Sequence, residues 1–264
     1  WILIINIVIA YISATNAAPF SNSTALKTAV DACLLYDNIG VACCGVAHDP
    51  NCGDPNAARC GAAGCDEMDK WNTSLVTSFA SLLVSADQFN APIGQWDTSR
   101  VTSMQTMFWG AHAFNQPIGQ WDVSKVTNMW GTFRRTKAFN QPIIDWDTSQ
   151  VSNMGYMFYE TEAFNQPLKH WDTLRVTNVG SMFAYTKAFN RDIVNWNLPS
   201  ASYQQFMFNN ALAFKARYIH ETEHPFDGPP SRWVRINNEC DAAYIRNGDI
   251  GDCTDTLLGG ETCT

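Results

Sequence analysis

Aspartates recur every 25 residues, each directly after a tryptophan. Carboxylates stacked on neighbouring layers of a fold would suit a cation site. In a bend after an extended segment, the same side chains would instead accept backbone N–H bonds as Asx turns. We favour the turn role, because an Asx turn needs only the local chain. The row comprises Asp97, Asp122, Asp147 and Asp172, with Asn72 and Asn197 at its ends.

Two further polar rows share the interval. The asparagines follow phenylalanine, and we expect their amides to satisfy backbone groups between successive copies of the repeat. The hydroxyl row would suit an ice surface, although ice binding usually requires a second such row, and the neighbouring positions are charged or mixed. The asparagines are Asn115, Asn140, Asn165 and Asn190, and the hydroxyl residues are Thr77, Thr102, Thr127, Ser152 and Thr177.

Other positions vary between copies and are rich in aromatic and arginine side chains. This composition is typical of surfaces that contact a protein or a glycan. The alternative is that the rings cover the side of the fold or pack against a cap. The candidate contact residues are Trp109, Trp130, Arg134, Arg135, Tyr156, Tyr159 and Tyr185, and Glu160 shares the column of Arg135 and Tyr185.

A 25-residue repeat must position all of these rows. Its tryptophans are Trp71, Trp96, Trp121, Trp146, Trp171 and Trp196. A constant interval of this length predicts stacked units, each too thin to bury its own aromatic residues. Ile93, Trp96 and Thr98 match a short strand, whereas Met104, Met107, Phe108 and Ala111 follow helical spacing. The pattern therefore predicts an α/β repeat solenoid of six leucine-rich-repeat-like coils over residues 69–214, each a short parallel strand plus a short helix.

The motif "AFNQPIGQWDVSKVTNM" from Ala113, with its near-copies, resembles the BspA-like leucine-rich repeats of bacterial and protist surface proteins, which are also noted in mycoplasma lipoproteins. The resemblance covers about Asp69 to Phe214. It implies extracellular display, adhesion, and contact with proteins or matrix, without shared catalytic residues.

Nine cysteines cluster outside the repeat. This distribution predicts disulfide-stapled caps over residues 18–68 and 215–264, in an oxidising compartment. Zinc is disfavoured because no C-x-x-C pair occurs. The stretch from Asp49 to Asp54 faintly matches a calcium loop, but we favour a plain turn, so no metal site is predicted. The C-terminal stretch from Asn238 is similar to the start of a sushi-like module. The cysteines are Cys33, Cys43, Cys44, Cys52, Cys60, Cys65, Cys240, Cys253 and Cys263.

The N-terminal segment also suggests the secretory pathway. Residues 1–17 begin with an apolar stretch that matches a signal peptide, although a retained strand or the remnant of a membrane anchor would read similarly. Asn22 and Asn72 begin N-x-Ser/Thr glycosylation sequons. Residues 23–36 are expected to form a helix that covers the first coil. Together these features predict an extracellular or cell-surface protein.

Composition limits the function classes. The chain has 264 residues, is 46% hydrophobic and has a net charge of −8 with a pI near 5.0. These values exclude a disordered polar chain and disfavour nucleic acid as a partner. No nucleophile or nucleotide-binding motif occurs, so we expect neither catalysis nor a cofactor. The leading hypothesis is an adhesive or structural scaffold that binds a protein or glycan surface. The alternatives are a subunit of a filament, appendage or membrane-associated assembly that contacts copies of itself or other subunits, and an ice-binding protein.

Overall fold

The computed structural model describes residues 19–41, 67–194, 196–201, 203–220 and 228–236. Within these ranges lie two α-helices, two short 3₁₀ turns and one two-stranded sheet. The strands pair antiparallel, with Tyr218 opposite Arg235 and His220 opposite Trp233. In chain order the elements are α1 (Ser23–Tyr36), a 3₁₀ turn (Met68–Lys70), α2 (Leu212–Lys215), β1 (Tyr218–His220), a 3₁₀ turn (Pro230–Arg232) and β2 (Trp233–Arg235).

The predicted α/β solenoid of alternating strands and helices is wrong. From Trp71 to Ala211, the described residues form turns and isolated parallel bridges, with no helix and no continuous strand. The helix expected around Met104 to Ala111 is interrupted because Thr106 and Gly110 have left-handed backbone φ angles. In place of the expected strand, the N–H of Trp96 donates to the Ile93 carbonyl in a tight turn (3.2 Å).

Backbone hydrogen bonds run between copies rather than along a helix. Every second N–H from Met104 to Gly110 donates to the carbonyl 24 residues later, at 2.8–2.9 Å. The same four bonds join each successive pair of copies, and most of the intervening N–H groups donate to the carbonyl three residues earlier, which closes four-residue turns within a copy. We call this segment the turn ladder. It comprises residues 78–85, 103–110, 128–135, 153–160, 178–185 and 203–210.

We call each of these six segments a rung of the turn ladder. Each rung contains two residues with positive φ, four positions apart, at φ values of 52–76°. Only two of these positions are glycine, and each of the others costs about 1–2 kcal/mol of backbone strain. Such strain persists where the surrounding contacts hold the backbone in place, and here the hydrogen bonds between rungs do so. The residues are Ser81, Ser85, Thr106, Gly110, Gly131, Arg135, Tyr156, Glu160, Ser181, Tyr185, Phe206 and Asn210.

Aromatic columns fill the interior of the stack. The six repeat tryptophans are only 2–6% exposed. Neighbouring indoles stack nearly parallel, with ring centroids 6.4 Å apart for Trp71 and Trp96 and for Trp146 and Trp171. The Trp121 indole N–H donates to the Ile93 carbonyl of the preceding copy at 3.2 Å, which satisfies the buried polar edge of the ring. The repeat therefore has a continuous core.

The structure covers each end of this core differently. At the N-terminal end, α1 confirms the helix predicted over residues 23–36; its N-cap is Asn22, and the Ser23 hydroxyl accepts the N–H of Ser78 at 3.0 Å. At the C-terminal end, Trp233 of β2 packs edge-on against Phe208 and Phe214, with centroids 5.3 and 5.4 Å away.

Several sequence predictions fall outside the described residues. They include the hydrophobic segment 1–17, the calcium-like stretch, the sushi-like stretch, and all cysteines except Cys33, which is disulfide-bonded. Among the helices of the described ranges, none combines the length and apolar character needed to cross a bilayer.

The left-handed positions predict reciprocal effects in adjacent rungs. Ser85 and Gly110 occupy equivalent positions, and a Cβ at residue 110 would meet nothing closer than 3.5 Å. Gly110→Ala should therefore lower the free energy of unfolding by about 1 kcal/mol through φ alone, and Ser85→Gly should raise it by about 0.5 kcal/mol. Urea denaturation measures both, and effects of the same sign would contradict the assigned backbone.

A buried threonine column provides a second reciprocal pair. The Thr148 hydroxyl donates to the Asp172 carbonyl in the next copy at 2.9 Å, whereas Val123 occupies the equivalent position and has no hydroxyl to donate. Thr148→Val should lower the free energy of unfolding by about 1 kcal/mol. Val123→Thr should raise it by a similar amount, because the new hydroxyl can donate to the Asp147 carbonyl. Chemical denaturation of both variants checks this, and a stabilising Thr148→Val would show that the bond contributes nothing.

Candidate functional site

The structure brings the seven predicted contact residues together on the turn ladder. Their rings and guanidinium groups form one contiguous surface across four successive copies, which we call the aromatic patch. All are half-buried or exposed, and Tyr185 at one end is 41% exposed. The patch comprises Trp109, Trp130, Arg134, Arg135, Tyr156, Tyr159 and Tyr185.

The five aromatic rings of the patch contact one another in an unbroken series. Trp109 meets Trp130 edge-on with centroids 6.4 Å apart, and Trp130 meets Tyr156 at 5.6 Å. Tyr156 then meets Tyr159 at 5.5 Å, and Tyr159 meets Tyr185 at 5.3 Å. Each ring therefore restricts the rotamers of the next.

Arg134 lies at the centre of the series. Its guanidinium carbon is 4.5 Å from the ring centroid of Trp109, 5.1 Å from that of Tyr156 and 5.0 Å from that of Tyr159. The Nε atom is buried and makes no hydrogen bond anywhere in the described ranges. The electron-rich ring faces therefore replace a conventional acceptor, and cation–π attraction holds the rings around the charge.

Arg135, by contrast, is paired with a carboxylate. Its Nε donates to Glu160 at 2.8 Å, and its Nη2 donates to the second carboxylate oxygen at 3.4 Å. The hydrogen bond and charge of Glu160 raise the pKa of Arg135. Burial, and then the neighbouring Glu160 charge, raise the pKa of Tyr159 above its ordinary value, so its hydroxyl stays protonated at neutral pH. Sequence reasoning did not include Glu160 in the site, although opposite charges 25 residues apart were a usable signal.

The backbone explains why these side chains share a surface. Trp109, Arg134 and Tyr159 occupy one position in three consecutive copies, so the rungs place them side by side. Arg135, Tyr156 and Tyr185 are left-handed positions of the ladder. Their side chains are thus displayed on rigid, hydrogen-bonded backbone rather than on a free loop.

The aspartate row forms Asx turns, which confirms the favoured interpretation. Each carboxylate accepts the N–H two residues ahead, at 3.0 Å in the case of Asp97 and Ser99 and 2.9 Å in the case of Asp172 and Leu174. The hydroxyl and N–H of Ser124 lower the pKa of Asp122. No cluster of three or more potential metal-ligating side chains occurs among the residues that the structure describes.

The asparagine ladder is also confirmed. The side-chain oxygen of Asn115 accepts the backbone N–H of Asn140 at 2.9 Å, and the side-chain oxygen of Asn140 accepts that of Asn165 at the same distance. In the hydroxyl row, Thr102 donates to the Thr77 carbonyl at 3.1 Å, and later members repeat this bond at 2.9–3.3 Å. Those hydroxyl protons are therefore used within the stack and are not available to an external surface.

Both glycosylation sequons have structural roles in addition to their sequence pattern. The Asn22 side-chain oxygen accepts the N–H of Ala25 at 2.9 Å as the cap of α1. The Asn72 oxygen accepts both the N–H and the hydroxyl of Ser74, at 3.2 and 2.7 Å. Asn22 is exposed and Asn72 is half-buried. Glycosylation itself stays a prediction.

Two open grooves lie away from the patch. One, of about 640 Å³, includes Lys169, Asp172, Arg191 and Arg217, and the other, of about 430 Å³, lies along the proline turns between Pro92 and Pro142. Neither groove contains a residue of the aromatic patch. The charged side chains of the larger groove have both signs, so it has no strong preference for an anion or a cation.

Comparison with known proteins gives one result. A family model described as "Mycoplasma protein of unknown function, DUF285" matches residues 58–145 and 114–221, which together span more than half of the chain. No curated protein and no solved structure matches. The resemblance to BspA-like repeats stays a prediction.

The Ser124 contacts predict an acid-dependent stability. A carboxylate with a lowered folded-state pKa stabilises the fold above its unfolded pKa, and this stabilisation disappears as pH falls through the folded value. Ser124→Ala removes the hydroxyl contact that lowers the pKa of Asp122 most. An NMR pH titration should then show the Asp122 pKa rising toward its ordinary value. An unchanged titration would mean that the hydroxyl does not reach the carboxylate.

Proposed function

The chain belongs to the DUF285 family. Because the description of that family names no activity, we propose a function from the geometry of the chain itself. The chain is a non-catalytic binding module, displayed outside the cell, whose contact surface is the aromatic patch. The observation on which this rests is the assembly of the patch around Arg134.

The composition of the patch supports a role in recognition. Tryptophan, tyrosine and arginine dominate the binding energy of known interfaces. Tryptophan and tyrosine bury a large area and lose little rotamer entropy, because each has only two rotatable side-chain bonds. Here the ring contacts and the guanidinium already fix the side chains before any partner arrives. A pre-organised surface has a smaller entropic cost on binding.

The electrostatics of the patch support a role in binding rather than in proton transfer. The carboxylate nearest the rings, Glu160, accepts two hydrogen bonds from Arg135. The raised pKa of Tyr159 disfavours its use as a base at neutral pH. What the patch offers a partner is ring surface, phenol hydroxyls and indole N–H groups.

Extracellular display is part of the same proposal. It follows from the cysteine distribution and the apolar N-terminal segment of the sequence. The disulfide at Cys33 agrees with it, because such bonds persist in oxidising compartments and are rare in the cytosol.

The test is an array of defined matrix proteins and defined polysaccharides, probed with the whole chain. The double variant Trp130→Ala, Tyr159→Ala removes two rings of the patch, and Tyr203→Ala is the matched control because it removes an exposed aromatic ring of the same ladder outside the patch. We expect the wild type and the control to bind at least one component, and the double variant to bind it about tenfold more weakly or worse.

Near-ultraviolet circular dichroism and thermal melting establish that all three proteins are folded. If the wild type binds no component of the array, or if the double variant binds as well as the control, the aromatic patch is not a recognition surface.

A further inference from the structure

The aromatic patch has the periodicity of the stack. Parallel rungs lie about 4.8 Å apart, and Trp109, Arg134 and Tyr159 take the same place in three of them. The ring centroids follow one another at 5.3–6.4 Å. Each of the four rungs contributes at least one aromatic ring to the patch, so a partner with a similar repeat length can place one unit against each rung. A pyranose ring in an extended polysaccharide is about as long as this spacing.

The shape of the patch favours a ribbon over a protruding side chain. Protein hot spots insert into desolvated pockets. The patch rings are half-buried or exposed and adjacent, and neither of the two grooves named above contains any of them. Half-exposed rings in series offer faces and edges on which a flat C–H surface can lie.

Charge narrows the class of polysaccharide. Arg135 is neutralised by Glu160, and the charge of Arg134 faces three rings. The whole chain has a net charge of −8, which repels polyanions such as sulfated or uronic acid polymers. The partner should therefore be uncharged, with hydroxyl or amide groups that reach the tyrosine hydroxyls and the indole N–H groups.

We propose that the aromatic patch binds a neutral, extended, β-1,4-linked polysaccharide whose pyranose rings lie along the axis of the stack. This inference rests on the proposed function and specifies its ligand class. The patch runs from the copy of Trp109 to that of Tyr185, three rungs further, or about 14 Å. A segment of about three or four sugar rings fills it.

The direct experiment is calorimetric titration of the whole chain with two series of soluble oligosaccharides, the β-1,4-linked oligomers of glucose and of N-acetylglucosamine, from two to six units. Affinity in at least one series should rise with length and level off at about four units. Trp130→Ala and Tyr159→Ala should each weaken binding about tenfold, while Tyr203→Ala should leave it unchanged. Heparin, used as a polyanion, should bind more weakly than the best neutral oligomer.

Arg134→Lys separates ring positioning from simple charge. A lysine keeps the charge but lacks the planar guanidinium that packs against three rings. It should weaken oligosaccharide binding by several-fold and reduce the intensity of the tryptophan bands in near-ultraviolet circular dichroism. The melting temperature should change little. Wild-type affinity and an unaltered spectrum would show that the arginine does not position the rings.

Three results would overturn the proposal: no binding in either series, stronger binding to heparin, or binding that the patch variants leave intact. If both series fail while a matrix protein on the array still binds through the patch, the ligand class is wrong and the binding module stands. If neither polysaccharide nor protein depends on the patch, both proposals fail.

Discussion

The structure depends on hydrogen bonds that join every second backbone N–H of the turn ladder to a carbonyl 24 residues ahead. These bonds replace the internal bonds of a helix, so a single copy has few backbone partners of its own. They also fix the length of the repeat, because one extra residue would shift both the donors of the ladder and the buried tryptophans out of alignment. The aromatic columns and the ladder therefore impose the same interval, one from the interior and one from the surface.

The same bonds account for the aromatic patch. Side chains such as Arg135 and Tyr156 stand on left-handed residues that an isolated chain would avoid. Because the rungs hold that backbone, neighbouring copies present their variable positions side by side, and Arg134 can contact rings from the copies before and after it. A constant framework thus displays positions whose identity is free to vary.

Much of the interior was predictable from sequence, and the local backbone was not. The tryptophan and asparagine columns identify stacked contacts, and the aspartates identify Asx turns, because each of these roles needs a particular side chain at a fixed interval. The predicted helix around Met104, Met107, Phe108 and Ala111 is wrong, because the spacing that buries one face of a helix also buries the inner side of the turn ladder. The residues with positive φ are mostly serine, threonine, arginine and tyrosine rather than glycine. These residue types do not predict a left-handed conformation, which is instead stabilised by hydrogen bonds to the neighbouring copies.

The ladder also has a direction. All of its bonds point from one copy to the next, so the peptide dipoles add along the axis as they do in a helix. In the first rung, the carbonyls of Ser78, Ala80, Leu82 and Val84 accept no hydrogen bond from any described residue, and in the last rung the N–H of Asn210 donates to none. The two termini are therefore complementary, and bare ones would template head-to-tail polymerisation. The structure places α1 beside the first rung, through the Ser23–Ser78 hydrogen bond, and Trp233 of β2 against Phe208 of the last, so both elements lie where a second copy would have to dock.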